Sequence, residues 1–211
     1  AVVCGTKVVG KIASMVDKKI KVVIKRKDGM RIQKGDVVLS LYGPARSLLK
    51  IERICLNFLG RLSSIATITA AYVAKAKRYG VDVYDTRKTT PNLRLFERCA
   101  VQVGGGCNHR FGLFDQVLIK DNHVMVAERY EKGTTIETLV KRAQTLRGKG
   151  ILVEVEVDTL TQLKRVLKMS PDIVLLDNMS PKMLRRAVAI VKRVVKENDV
   201  TAPVLEASGG I

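Results

Sequence analysis

Apolar and polar positions change their period twice along the chain. Over residues 8–43 the apolar runs are short and β-like, at 20–24 and 37–41, and are broken by the turns Lys27-Asp28-Gly29 and Lys34-Gly35-Asp36. This predicts a small β-rich module. From Leu48 the spacing lengthens: Leu48, Ile51, Cys55, Phe58, Leu62, Ile65 and Thr69 recur every three or four residues, which predicts one long amphipathic helix. Its opposite face carries Lys50, Arg53, Asn57 and Arg61, a pattern that ordinarily marks a solvated stripe. After Gly80 short apolar runs at 81–84, 116–119, 152–157, 173–176 and 204–205 read as strands, with helix-like segments between them. Thr134 with Glu137 reads as a capping box, and Ser180-Pro181 as an N-cap followed by proline in the first turn. Repeated strand-then-helix units imply a parallel sheet, and an open wound sheet and a closed barrel fit the spacing equally well.

Each strand run is followed by charged or reactive residues. Asp85-Thr86-Arg87-Lys88 follows the first and Lys120-Asp121-Asn122-His123 the second; Glu156 and Asp158 lie late in the third. Asp177-Asn178 follows the fourth and Glu206 with Ser208-Gly209-Gly210 the last. Carboxyl ends of parallel strands surround the ligand site of α/β folds, so these positions are expected to converge on one rim. Arg87, Lys88, His109, Arg110 and Lys120 suit carboxylates or phosphates, because guanidinium forks pair bidentately and lysine adds a point charge. Glu156 and Asp177 are hard oxygen donors able to share a Mg²⁺ with a phosphorylated substrate. Gly104-Gly105-Gly106 and Gly209-Gly210 let backbone N–H groups approach an anion, the first run reading equally as a tight connection.

Composition narrows the function class. Thirty-eight Lys and Arg against twenty Asp and Glu give a net charge of +18, which calls for anionic partners or ligands. Twelve of those bases, against three acids, fall in the first fifty residues. Aromatics are only 4% and Trp is absent, so base stacking lacks its usual residues, and no finger, RNP-like or basic-zipper pattern is present. The four cysteines, Cys4, Cys55, Cys99 and Cys107, form no CxxC pair and read as thiols in a reducing compartment. No window approaches the roughly 18 uninterrupted apolar residues of a membrane helix, and a cytoplasmic protein is expected. Walker, GxGxxG and HExxH patterns are absent, and Cys107 near His109 lacks an orienting acid for a thiol nucleophile.

Three segments, 85–91 (DTRKTTP), 104–113 (GGGCNHRFGL) and 118–123 (LIKDNH), closely resemble the signature segments of the quinolinate phosphoribosyltransferase family, the carboxylating nicotinate-nucleotide pyrophosphorylases. Glu52-Arg53, Leu56-Asn57-Phe58-Leu59, residues 154–157, Leu176-Asp177-Asn178 and residues 206–210 resemble the family in the same order. The resemblance implies a small N-terminal β-rich sandwich domain, here residues 1–50, with an incomplete (β/α) barrel, here residues 51–211. It implies transfer of phosphoribose from phosphoribosyl pyrophosphate to quinolinate with Mg²⁺, giving nicotinate mononucleotide, pyrophosphate and CO₂ in NAD synthesis. Arg87, His109, Arg110 and Lys120, with Arg53 from a second subunit of a homodimer, would hold the quinolinate carboxylates. Lys88, Glu156, Asp177, Ser208, Gly209 and Gly210 would hold the sugar phosphate, pyrophosphate and metal, with Lys120, Glu156 and Asp177 in the catalytic roles. Compared with that pattern, the chain reads as lacking a leading helical segment and a further strand-helix portion after Gly210. Other readings are a related nicotinate phosphoribosyltransferase or transport-associated paralogue, with fewer cations for a second carboxylate, and a basic nucleic-acid-binding protein.

Overall fold

The computed structural model describes residues 1–146, 150–198 and 200–210. They form two compact units, Ala1–Phe111 and Gly112–Ile211.

The N-terminal unit opens with a helix, α1 (Thr6–Val16), to which the β-rich reading had given no element. Its Val9 and Ala13, one turn apart, are buried with Ile20, Ile51 and Cys55. Two strands follow, β1 (Lys21–Ile24) and β2 (Leu39–Tyr42), paired antiparallel from Lys21↔Tyr42 to Ile24↔Leu39. The long helix α2 (Ala45–Ala76) buries Ile51, Cys55, Leu62, Ala66 and Thr69, the three- and four-residue stripe expected of it. A short 3₁₀ turn, Lys77–Tyr79, closes it. Together they make one helix long and apolar enough to cross a bilayer, a test that the core helix of a water-soluble domain also passes. Here α2 packs on α1 and on α3 (Arg94–Val103), with Leu62, Ala66 and Ala100 in a second cluster around Val2 and Cys4.

Residues 81–84 form no strand. Tyr84 makes a single parallel bridge to Cys107, so the expected strand is reduced to one rung joining two loops. The Gly104-Gly105-Gly106 run also resolves against anion binding. Its three amides donate to Ala100, Gln102 and Val101 carbonyls at 3.0, 2.9 and 3.0 Å, closing α3. A Cβ on Gly104 would stand 2.5 Å from the Ala66 carbonyl oxygen, so the glycine serves the close approach of α3 to α2.

The C-terminal unit is a four-stranded parallel sheet in the order β3 (Gln116–Ile119), β4 (Leu152–Val157), β5 (Ile173–Asp177), β6 (Val204–Ser208). The connections carry α4 (Asp121–Tyr130), α5 (Ile136–Gln144), α6 (Leu160–Leu167) and α7 (Pro181–Asn198). Sequential neighbours with no reversal distinguish a partial β/α barrel from a doubly wound sheet, whose strand order reverses at a switch point. One sheet face is apolar: Ile119, Val153, Val155, Val157, Val174 and Leu176 are buried with Val140, Leu163, Val166, Ala187 and Val191 of the helices. Each fully buried aliphatic side chain contributes about 1.5–3 kcal/mol.

Helix starts are partly as the sequence predicts. The Ser180 hydroxyl accepts from Met183 N at 3.3 Å, capping α7 ahead of Pro181. The α5 cap lies one residue later than predicted: Thr135 accepts from Thr138 N, the Thr134 hydroxyl donates to the Glu131 carbonyl, and Glu137 pairs with Arg165. The predicted capping box is therefore replaced. Cys4 and Cys55 are buried, Cys107 is half-buried and Cys99 is exposed.

Candidate functional site

In the C-terminal unit the sheet register sorts the strand residues by parity. Ile119 pairs with Val155, and Glu156 with Leu175, which in turn pairs with Glu206; Asp177 pairs with Ser208. Side chains alternate between faces, so Glu154, Glu156, Leu175, Asp177, Glu206 and Ser208 share the face opposite the helices. Charged groups therefore gather at the carboxyl ends of β4, β5 and β6, as the strand-end pattern predicted.

Lys120 follows β3 directly and its Nζ donates to Glu156 Oε2 at 2.6 Å. The pair is partly shielded, with the glutamate side chain 15% exposed. Lys120 is also the residue before α4, where a lysine offers no acceptor to cap the helix. His123 does the capping instead: Lys120 N donates to His123 Nδ1 at 3.1 Å, while His123 N donates to the Lys120 carbonyl at 3.0 Å. The histidine whose role the sequence left open thus fixes the backbone of the site lysine.

Asp177 ends β5 and its Oδ2 accepts from Asn178 Nδ2 at 2.7 Å. Asn178 has φ 51°, and its amide donates to the Ser208 carbonyl at 2.8 Å. Gly209 follows with φ 82° against that asparagine, and a Cβ there would stand 2.2 Å from Asn178 Oδ1. Asp177, Asn178, Ser208 and Gly209 are one interlocked corner. Deeper on the same face Glu154, fully buried, accepts from Gln116 Nε2 at 2.6 Å.

The N-terminal unit carries the other cations. Arg87 and Lys88 lie in the loop before α3, and His109 and Arg110 in the loop after it. Asp85 ties the loops together: it accepts from His109 N at 2.8 Å and Arg98 Nη1 at 3.3 Å, and from the Asn108 side chain. The Tyr84 and His109 rings meet edge to face at 6.4 Å. Nε of Arg87 is buried and, among the described residues, has no hydrogen-bond partner. A buried guanidinium N–H without an acceptor costs on the order of 1–3 kcal/mol, which an anionic ligand would relieve. Arg53 stands exposed on α2 between the buried Ile51 and Cys55.

Two residues of this region escaped the sequence reading. Arg61, placed there on a solvated stripe, donates from Nε to Glu97 Oε1 at 2.8 Å and from Nη2 to the same carboxylate and to the Thr90 hydroxyl. Glu97 is only 8% exposed and takes a further bond from Thr90 N at 3.1 Å. Burial raises its pKa, but the bonds from Arg61 and Thr90 and the Arg61 charge outweigh this and hold it below the ordinary glutamate value. Only the spacing of Arg94, Glu97 and Arg98 on one helical face could have signalled a role, and any solvated helix offers as much.

Comparison with known proteins bears on both units. Residues 1–63 match the model for the quinolinate phosphoribosyl transferase N-terminal domain, and residues 65–211 that for its C-terminal domain. The chain is 38% identical over 198 residues to the probable carboxylating nicotinate-nucleotide pyrophosphorylase of Bacillus subtilis, covering 94% of this chain and 64% of that one. Against the carboxylating nicotinate-nucleotide pyrophosphorylase of Mycobacterium leprae it is 40% identical over 193 residues, covering 90% and 63%. It thus spans a little under two thirds of these relatives. The crystal structure of NadC from Streptococcus pyogenes superposes with a TM-score of 0.86 at 38% identity, covering 100% of this chain and 70% of that one. With both family models matched in order and a parallel sheet carrying its polar residues where the fold requires them, the chain belongs to the quinolinate phosphoribosyl transferase family.

Proposed function

We propose that this chain carries the site for phosphoribosyl transfer from phosphoribosyl pyrophosphate to quinolinate, with decarboxylation to nicotinate mononucleotide in NAD synthesis, in the cytoplasm. The observation that carries the reading is the sheet face on which Lys120, Glu156, Asp177 and Ser208 gather at adjacent strand ends. Two carboxylates beside a lysine suit a substrate that is a polyanion at one end and develops positive charge at the other.

The pyridine nitrogen forms its bond to ribose C1 as the bond to pyrophosphate breaks. No nucleophilic side chain is needed, so the protein's work is positioning and charge stabilisation. Arg87, His109, Arg110 and Lys120 are assigned to the two carboxylates, and Lys88, Ser208, Gly209 and Gly210 to the phosphates. Glu156 and Asp177 face the sugar, where their charge favours an oxocarbenium-like C1. Loss of the 2-carboxylate as CO₂ leaves an electron pair on the ring carbon, which takes a proton; the Lys120 ammonium stabilises that pair. The Lys120 ammonium is oriented by its bond to Glu156. Glu156 and Asp177, hard oxygen donors on one face of neighbouring strands, would hold a Mg²⁺. Bound there, the ion would neutralise the leaving group.

The proposal extends to a homodimer in which Arg53 serves the second subunit's site. Supporting it, Arg53 is exposed on α2, turned from the stripe that this helix buries. The test is pyrophosphate release by the full-length protein with quinolinate, then nicotinate, each with phosphoribosyl pyrophosphate and Mg²⁺. Turnover with quinolinate alone, lost in excess chelator and in Asp177→Asn, is expected. Equal turnover with nicotinate, or unchanged rates without metal, would overturn the substrate or the metal assignment.

A further inference from the structure

We infer that Glu97 is a positioning residue which, through Arg61 and Thr90, holds the loop bearing Arg87 and Lys88 in its binding geometry. The inference rests on the phosphoribosyl-transfer reading for what that loop binds, and on geometry alone for the clamp.

The loop is pinned on both sides of its two cations. Before them, Asp85 is held by Arg98 of α3 and by the amide of His109. After them, Thr90 is held twice: its amide donates to Glu97 Oε2 at 3.1 Å, and its hydroxyl accepts from Arg61. Between the pins Arg87 and Lys88 span too few residues to move far. Thr89 adds a third tie, its hydroxyl accepting from Arg94 Nε at 3.2 Å. Arg94, Glu97 and Arg98, at i, i+3 and i+4, thus turn one face of α3 entirely to gripping the loops on either side of it.

Both carboxylate ties are shielded, and what sets Glu97 apart is the elements it joins. The Arg98–Asp85 pair and the Arg61–Glu97 pair both have acids shielded from solvent, with side chains 7% and 11% exposed. A shielded carboxylate is costly unless its partners satisfy it, and removing a partner leaves that cost uncompensated. Glu97 spends both its oxygens outside its own helix, one on α2 and one on the Thr90 amide. It therefore sets the distance from the loop to α2 as well as to α3. A shift of about 1 Å in groups that orient a substrate costs ten- to a hundredfold in rate.

The test uses the full-length protein with Glu97→Gln, Glu97→Ala, Arg61→Ala and the Arg61→Ala/Glu97→Ala pair. Glu97→Gln keeps the size and one acceptor, so it remains usable should the alanine variants fold poorly. KM for quinolinate and for phosphoribosyl pyrophosphate should each rise about tenfold or more. The double variant should be no worse than the worse single, because both remove one clamp. Hydrogen exchange at the Thr90 amide should quicken in the Glu97 variants. As a control, Leu163→Ala, in the core of the other unit, should lower the unfolding midpoint without moving either KM. Unchanged KM values, additive losses, or unchanged Thr90 exchange would each overturn the inference. Should the parent protein release no pyrophosphate with quinolinate, the functional reading falls, while Thr90 exchange still tests the clamp.

Discussion

Replacing Gly209 by alanine puts a methyl group into the interlocked corner, and its cost can be worked from the contacts there. The first part is backbone. At φ 82° an L-residue loses on the order of 1 kcal/mol relative to glycine. The second is collision, since the new Cβ would stand 2.2 Å from Asn178 Oδ1, 2.6 Å from its Cγ and 2.9 Å from its backbone nitrogen. The carboxamide can swing away only by releasing Asp177 Oδ2, a hydrogen bond of 2.7 Å to a charged acceptor. Losing that bond costs roughly 1–2 kcal/mol. Gly209→Ala should therefore destabilise the protein by about 2–3 kcal/mol, seen as a urea midpoint lowered by about 1 M at unchanged slope. The partner experiment is the same substitution in an Asn178→Gly background, which removes the obstructing side chain. There the backbone part and the 2.9 Å approach to the nitrogen of residue 178 remain, and the cost should drop by the roughly 1–2 kcal/mol of the lost side-chain bond. If Gly209→Ala costs the same in both backgrounds, the asparagine contact has no part in it and the corner is not interlocked as described.

Leu163, fully buried among the sheet and helices, should cost about 2–5 kcal/mol when cut to alanine, measured as equilibrium unfolding free energy. For Glu97, whose folded pKa is depressed, the stabilisation is full above the unfolded glutamate value of 4.5 and is lost as pH falls through the lower folded value. Parent stability should thus fall more steeply below pH 4.5 than that of Glu97→Gln; parallel pH profiles would refute the pairing. Arg53→Ala and Lys120→Ala proteins, each nearly inactive, should regain about a quarter of the parent's sites when unfolded and refolded together under two-fold symmetry. No recovery from demonstrated hybrids would confine Arg53 to its own subunit or to no site.

What the sequence made legible is what period and spacing carry. Strands β3 to β6 and the charged groups at their ends follow from short apolar runs closed by polar residues, and α2 from an unbroken stripe. The α1 segment was not legible because Gly10 and its three valines disfavour a helix locally, and burial of Val9 and Ala13 overrides that preference. Residues 81–84 failed in the opposite sense: an apolar run becomes a strand only with a partner, and here a single rung to Cys107 is made. The α5 cap was misplaced because Thr134 and Thr135 are chemically alike, and only the backbone reveals which hydroxyl meets the first turn. The clamp was beyond reach for a different reason. Arg61 and Glu97 lie 36 residues apart, and nothing in either segment announces that the two charges meet.

The alternation of faces in the parallel sheet separates two kinds of inheritance. Along β4, Val153, Val155 and Val157 answer to packing, while Glu156, between the last two, answers to chemistry. A lineage could exchange the residues of one parity to take a different anion while leaving the other set, and with it the stability of the unit, almost untouched. A one-residue insertion or deletion would do the reverse, turning valines to the ligand and carboxylates to the helices in a single event. Such a scaffold tolerates substitution in its site far better than any change in strand length, and new specificities on it should arise by exchange rather than by gain or loss of residues.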